Sequence, residues 1–142
     1  ENLPLSPNPK KLCWGDSRIG NVLFEDFQVK SLLDWEMATI GDPLCDLAWG
    51  LTTDDVSSHG LNIEKLPGSI ANEEAIKFWE KNTGYSADNF FYYRILCLFK
   101  FSVIMIRVAK KLIHNEIMPL DSDFHVNNHV SNYLRQEFNE KN

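Results

Sequence analysis

Three oxygen-bearing side chains near the start of the chain have the types and spacing to act together on one charged substrate. Asp16 and Asn21 lie in the stretch W-G-D-S-R-I-G-N-V-L, and Asp34 follows in S-L-L-D-W-E. Mg²⁺ prefers oxygen ligands, and a positioned carboxylate can handle the proton of a hydroxyl group. These residue types are the ones that phosphoryl transfer requires.

The residues around this set are consistent with a tight functional loop. Asp16 and Asn21 are separated as D-x-x-x-x-N, the spacing of the kinase catalytic loop. Gly15 and Gly20 bracket the loop, and we expect them to give its backbone conformations that are closed to residues with a Cβ. Arg18 faces either a phosphate, an anionic substrate or the solvent.

These motifs resemble those of the aminoglycoside phosphotransferase/choline kinase-like family. The family pattern is approximately H-G-D, then Asn five residues beyond the Asp, then D-W/F-E/G, then G-D-P-x-x-D-L-A; the last motif is G-D-P-L-C-D-L-A at residues 41–48 here. The similarity runs through Val108. The fragments L-P-G at Leu66 to Gly68 and F-F-Y-Y-R from Phe90 resemble the branch associated with acyl-CoA dehydrogenases.

The resemblance implies a role for each residue of the set. Asp16 is expected to be the catalytic base or the group that orients the hydroxyl, and Asn21 and Asp34 are expected to bind Mg²⁺ and, through it, ATP. Trp14 stands where the family pattern has His, a residue that braces the loop by hydrogen bonding. An indole offers one N–H donor and no acceptor nitrogen.

Three further acidic residues have structural or supporting interpretations. Asp42 precedes Pro43 and is well placed to cap a helix. We expect Asp46 either to accept hydrogen bonds from backbone groups that hold the loop, or to contact the residues that bind the substrate or the metal. Glu36 either reaches the metal site indirectly or lies on the surface.

The resemblance also implies a fold and a missing part. We expect an α+β, mainly α structure, the C-terminal lobe of a protein-kinase-like fold with a small β-hairpin beside the catalytic loop. Only eleven residues precede Leu12, and they include no glycine-rich nucleotide loop and no strand lysine. Residues 1–11 are therefore expected to lead in from a missing N-terminal lobe, with a catalytic segment at 12–51 and a helical subdomain at 52–142. Without its own N-terminal lobe the chain is expected to be inactive alone and to self-associate.

The local patterns predict the following elements. Val22 to Glu25 and Val29 to Leu33 are β-favouring runs and predict a hairpin. Helices are predicted from Asp42-Pro43 through Leu51, from Glu73 to Asn82 before Gly84, from an Asp88 cap to about Asn115, and from about Phe124 to Phe138, with a long surface loop at 52–71.

Composition restricts the partners. The net charge of −6 and the pI near 5.1 argue against nucleic-acid binding. Three widely spaced cysteines favour a reducing compartment, so we expect an intracellular, most simply cytoplasmic, protein. Arg94 and Lys100 interrupt the most apolar stretch, Phe90 to Ile106, which argues against a membrane span. His125 and His129 are spaced for a zinc pair on a helix, but packing or surface roles fit them better.

Two alternatives to an ATP-dependent kinase of a small-molecule hydroxyl stay open. One is a noncatalytic binding or scaffold domain that keeps the kinase-like shape, which Trp14 motivates. The other is a purely structural helical domain. The acceptor is not readable from the sequence, although the branch resemblance is consistent with a hydroxylated acyl compound or its thioester.

Overall fold

The computed structural model describes residues 4–140 and contains four α-helices and two small sheets. Short 3₁₀ turns at 19–21, 35–37 and 59–61 connect them. The strands are β1 (Lys11–Cys13), β2 (Val22–Glu25), β3 (Gln28–Leu32) and β4 (Thr39–Gly41), and the helices are α1 (Leu44–Ser58), α2 (Asn72–Thr83), α3 (Phe90–His114) and α4 (His129–Asn139).

The two antiparallel strand pairs frame the segments that carry the candidate residues. β2 and β3 form the predicted hairpin, in which Asp26 and Phe27 make the turn with φ of 49° and 60°. β1 pairs with β4, so that Leu12 lies opposite Ile40. We did not predict this second pair because each strand has only three residues, too few to show an alternating pattern.

Helix α1 begins as predicted and ends later than predicted. The Asp42 carboxylate accepts the backbone N–H of Leu44 at 2.9 Å, which satisfies a free donor of the first turn. The helix then continues to Ser58, so the prediction of a loop from residue 52 was wrong for residues 52–58. Thr52, Thr53, Asp55 and Ser58 are buried there by tertiary contacts. Thr53 Oγ1 donates to the Trp49 carbonyl at 2.9 Å, and Asp55 binds Arg94, whereas Thr52 Oγ1 has no partner in the described residues.

The helices α2 and α3 follow the sequence pattern closely. Gly84 ends α2 with φ of 72° and donates its N–H to the Glu80 carbonyl at 2.8 Å, as predicted for a C-terminal glycine. α3 ends before Asn115 as predicted. The predicted Asp88 cap was wrong, because Asn89 occupies the cap position and makes no side-chain capping bond.

Helix α4 starts five residues after the predicted Phe124. The Asn128 side chain accepts the N–H groups of Val130 and Ser131, each at 3.0 Å, and Ser131 Oγ accepts the Asn128 N–H at 3.1 Å. This reciprocal cap fixes the first turn at His129. His125 therefore precedes the helix, and no three His, Cys, Asp or Glu side chains within residues 4–140 are grouped to hold a metal ion.

The core lies between α1, α3 and α4. Val56, Leu98, Met105 and Val130 form one buried cluster, and Ala48, Trp49 and Cys97 form a second. No helix in the described range is long and apolar enough to cross a membrane.

A buried ionic cluster joins the same three helices. Arg94 on α3 donates from Nη1 to Asp55 of α1 at 2.6 Å and from Nη2 to Glu137 of α4 at 2.8 Å, and it lies over the Tyr133 ring. Lys65 reaches the other oxygen of Asp55 at 2.8 Å. The cluster therefore fixes the relative positions of the helices and of the loop that carries Lys65.

The first described residues are anchored to the fold. Of the predicted 1–11 lead-in, residues 1–3 lie outside the described part, and residues 4–10 form neither helix nor strand. Asn8 is nevertheless buried and donates to Asp42 at 3.0 Å and to the Ser86 carbonyl at 2.8 Å. The segment is thus tied to the start of α1 and to the connection between α2 and α3.

Candidate active site

The carboxylate of Asp16 is held by three side-chain donors. Trp49 Nε1 donates to Oδ1 at 2.7 Å, while Asn21 Nδ2 and Arg18 Nε donate to Oδ2 at 2.7 and 3.0 Å. The Asp16 side chain keeps 14% of its surface exposed. The structure therefore presents an oriented, partly buried carboxylate.

Asn21 joins the two ends of the D-x-x-x-x-N loop. Its amide nitrogen donates to both the side chain and the carbonyl of Asp16, the latter at 3.1 Å. The amide oxygen has no partner within residues 4–140 and is not sealed from solvent. It is consequently available as an oxygen ligand.

Asp34 is joined to this loop through its neighbour Leu33. The Leu33 N–H donates to the Asn21 carbonyl at 2.8 Å, and the Leu33 carbonyl accepts the Trp14 indole N–H at 2.7 Å. Asp34 itself has a left-handed backbone with φ of 59°. Its exposed carboxylate has no hydrogen-bond or ion-pair partner in the described part of the chain. Asp34 therefore directly follows the residue whose backbone N–H binds Asn21.

Trp14 supplies the connection between the two segments. Its buried ring packs against Trp35, with ring centroids 6.0 Å apart. Its single donor is directed at the Leu33 carbonyl, so the indole joins the loop to the segment that carries Asp34.

Helix α1 holds the loop through hydrogen bonds to Asp46. The Asp46 carboxylate accepts the backbone N–H groups of Trp14 at 2.7 Å and Gly15 at 2.8 Å, and the Asp46 carbonyl accepts Ser17 Oγ at 2.6 Å. Gly15 has φ of 92°, and a Cβ there would overlap the Met37 carbonyl. The expectation for Gly20 was wrong: its φ is not positive and a Cβ would meet no atom.

Comparison with known proteins places this arrangement in a family. A family model described as "Phosphotransferase enzyme family" matches residues 1–78, more than half of the chain. The chain belongs to the phosphotransferase enzyme family. The region of the match includes Asp16, Asn21, Asp34 and Asp46.

Individual relatives of this phosphotransferase-family chain are much longer proteins. It is 32% identical over 115 residues to "Acyl-CoA dehydrogenase family member 11" of Pongo abelii, covering 73% of this chain and 15% of that protein. The Gallus gallus protein of the same name is 34% identical over 128 residues, covering 80% of this chain and 16% of that protein. The chain therefore spans about 15% of the length of these relatives.

A solved structure supports the fold. A Ralstonia eutropha JMP134 protein named as an aminoglycoside phosphotransferase superposes with a TM-score of 0.63 at 18% identity, over 90% of this chain and 40% of that one. The predicted mainly helical, protein-kinase-like fold with a small hairpin is confirmed.

Asp42 and Glu36, the other two acidic residues predicted to support the site, make no hydrogen bond to Asp16 in the described residues. Asp42 accepts hydrogen bonds from Ser6, Asn8 and Leu44. Burial alone would raise the pKa of Asp42, but these bonds outweigh it and hold the pKa below its usual value. Glu36 is exposed and makes no hydrogen bond or ion pair within residues 4–140.

Sequence reasoning missed Trp49 and Leu33 as parts of the site. Leu33 contributes only backbone groups, which carry no residue-type signal. Trp49 follows Asp46 by three residues on one helix and so lies on the same face, which is the signal that could have found it. Without that signal, the Trp49 ring is interpreted as part of the hydrophobic core.

Proposed function

We propose that this chain carries the catalytic residues of an ATP-dependent phosphotransferase that acts on a hydroxyl group of a small molecule. The observation that carries the proposal is the linked set of Asp16, Asn21 and Leu33–Asp34, in which Asn21 contacts Asp16 through its side chain and Leu33 through its backbone. Family membership supports the same reaction class.

Two side-chain oxygens without partners in residues 4–140 have the chemistry that a magnesium ion prefers. The Asn21 amide oxygen and the Asp34 carboxylate have no partners in the described residues, and both are hard donors of the kind that Mg²⁺ prefers. These two residues would hold the ion. When bound, Mg²⁺ supplies charge neutralisation on the phosphate oxygens of ATP.

Asp16 is proposed to receive the hydroxyl proton. A carboxylate has about four acceptor positions, and three are used here, one on Oδ1 and two on Oδ2. We assign the remaining position on Oδ1 to the acceptor hydroxyl. As the hydroxyl oxygen bonds to the γ-phosphorus and the bond to ADP breaks, the proton passes to Asp16.

Arg18 is proposed to contact a phosphate or an anionic substrate. Its side chain is half exposed and lies on Asp16, so a modest rotation of its flexible chain moves the charge toward a ligand. The acceptor is proposed to be a hydroxylated acyl compound or its thioester, supported by the similarity to proteins named as acyl-CoA dehydrogenase family members.

The test is phosphotransfer by the natural full-length protein. It is incubated with Mg·ATP and a panel of hydroxyl compounds that includes hydroxyacyl thioesters, and phosphorylated products are detected by mass spectrometry. Turnover should fall by at least about 10³-fold in Asp16→Asn and Asp34→Asn. Asp26→Asn, a matched change at the exposed hairpin turn, should retain activity.

A noncatalytic binding domain is the second candidate. It is favoured by Trp14, because the indole offers no acceptor nitrogen where the family pattern has an imidazole. Wild-type protein that binds ATP or panel compounds without any turnover would support this candidate and contradict the first.

A further inference from the structure

We infer that Trp49 is a positioning residue that sets the orientation of the Asp16 carboxylate; this rests on the proposed function of Asp16. The indole N–H donates to Oδ1 at 2.7 Å, and the other two donors bind Oδ2. Trp49 is thus the only side chain within residues 4–140 that holds the oxygen assigned to the acceptor hydroxyl.

The indole is a rigid donor. Trp49 is buried against Ala48 and Cys97, and its ring lies 6.1 Å from that of Phe101. A buried indole N–H needs a partner, and Asp16 is the one it has in the described structure. Packing therefore fixes the direction of the indole N–H, and the hydrogen bond from this N–H fixes the position of Asp16 Oδ1.

The helix that carries Trp49 is built to receive the loop. Asp46 binds the loop backbone three residues before Trp49, and Gly50 follows, where a Cβ would lie 2.8 Å from the Ser17 carbonyl oxygen. The loop thus docks on one face of α1 formed by Asp46, Trp49 and Gly50. On this face Trp49 contributes the contact to the carboxylate itself.

A charge-assisted bond from a rigid donor orients a carboxylate before the substrate arrives. Without it, Oδ2 keeps its bonds to Asn21 and Arg18, but Oδ1 loses its side-chain donor and its open acceptor position is less tightly oriented. Binding of ATP and acceptor depends on other contacts. The expected consequence is a loss in kcat with little change in KM.

The test uses Trp49→Phe in the natural full-length protein, with Trp79→Phe as the matched control on α2. We expect Trp49→Phe to lower kcat by roughly 10- to 100-fold, the range typical of residues that orient a reacting group, with both KM values within about twofold of wild type. Trp79→Phe should leave both constants unchanged. An unchanged kcat in folded Trp49→Phe overturns the inference while leaving the proposed function intact.

An NMR measurement covers the case in which Trp49→Phe does not fold. The Trp49 indole N–H resonance of the wild type should lie downfield and move upfield in Asp16→Asn, because a neutral amide oxygen is a weaker acceptor. The Trp79 indole resonance should not move. A Trp49 resonance indifferent to Asp16→Asn overturns the inference, and a wild type without phosphotransfer activity removes the proposed function and this inference with it.

Discussion

Trp14 Nε1 donates a 2.7 Å hydrogen bond to the backbone carbonyl of Leu33, the residue before Asp34. Trp35, the residue after Asp34, donates from Nε1 to the Leu32 carbonyl at 2.8 Å. Trp14 is 8% exposed and Trp35 is 43% exposed. Two indoles thus bind consecutive carbonyls, one in the interior and one at the surface.

Replacing Trp14 by Phe should destabilise the fold more than replacing Trp35 by Phe. Trp14→Phe removes a partly buried hydrogen bond that comes from a buried ring, at a cost of about 1–3 kcal/mol. In Trp35→Phe, water can replace the lost donor, so the cost should stay below about 1 kcal/mol. Urea unfolding of both variants measures the difference, and equal costs would argue against a bracing role for Trp14.

Asp55 and its neighbour Asp54 should respond very differently to removal. The Asp55 side chain is 3% exposed and binds Arg94 and Lys65, whereas Asp54 is 56% exposed and binds Lys65. Asp55→Ala breaks the buried pair with Arg94, which keeps its bonds to Glu137, so we expect a loss of about 3 kcal/mol in the free energy of unfolding, the lower end for a broken buried ion pair. Asp54→Ala should cost less than about 1 kcal/mol. Similar losses in the two variants would contradict the central position of Asp55.

Acid should destabilise the protein through Asp55. Burial opposes ionisation of this carboxyl, but hydrogen bonds from Lys65, Arg94 and Asn72 outweigh it and hold the pKa below its usual value. The unfolded chain therefore binds more protons, and the stabilisation is complete above about pH 4 and lost as pH falls through the folded pKa. Urea midpoints between about pH 2 and 6 should decline less steeply in Asp55→Asn than in wild type. If the urea midpoint of Asp55→Asn declines as steeply as that of wild type, groups other than Asp55 cause the acid sensitivity.

Gly50 should be required for docking of the catalytic loop on α1. A Cβ at this position lies 2.8 Å from the Ser17 carbonyl oxygen, so Gly50→Ala should force the loop away at a cost of about 1–3 kcal/mol. Gly20→Ala, where a Cβ meets nothing, should be nearly neutral. Thermal unfolding compares the two, and a neutral Gly50→Ala would show that the loop can shift without cost.

The sequence predicted the local elements and could not predict the longer-range contacts. Gly84 and the run at Val22 to Glu25 signal a helix end and a strand through their own chemistry, and both were predicted correctly. The extension of α1 to Ser58 depends on Arg94, which lies on another helix and stabilises a polar stretch that has no periodicity. Tertiary partners decided that boundary.

The same reasoning applies to the candidate site. The positions of Asp16, Asn21 and Asp34 in family-like motifs indicated a shared centre from the sequence. The bonds that position them involve the Leu33 backbone, which joins Asn21 to the segment of Asp34, and the Trp49 indole, which holds Asp16 and is signalled only by its spacing from Asp46. A backbone group carries no residue-type signal, so the Leu33 contact becomes recognisable only once the fold brings it to Asn21.

The position of a divalent cation tests the central claim most directly. A crystal of the natural full-length protein with Mn²⁺ and a nonhydrolysable ATP analogue gives the ion position from its anomalous signal. We expect one ion bound by the Asn21 amide oxygen and the Asp34 carboxylate at about 2.1 Å, next to Asp16. An ion and nucleotide bound away from these residues, with the Asp34 carboxylate directed elsewhere, would contradict the account.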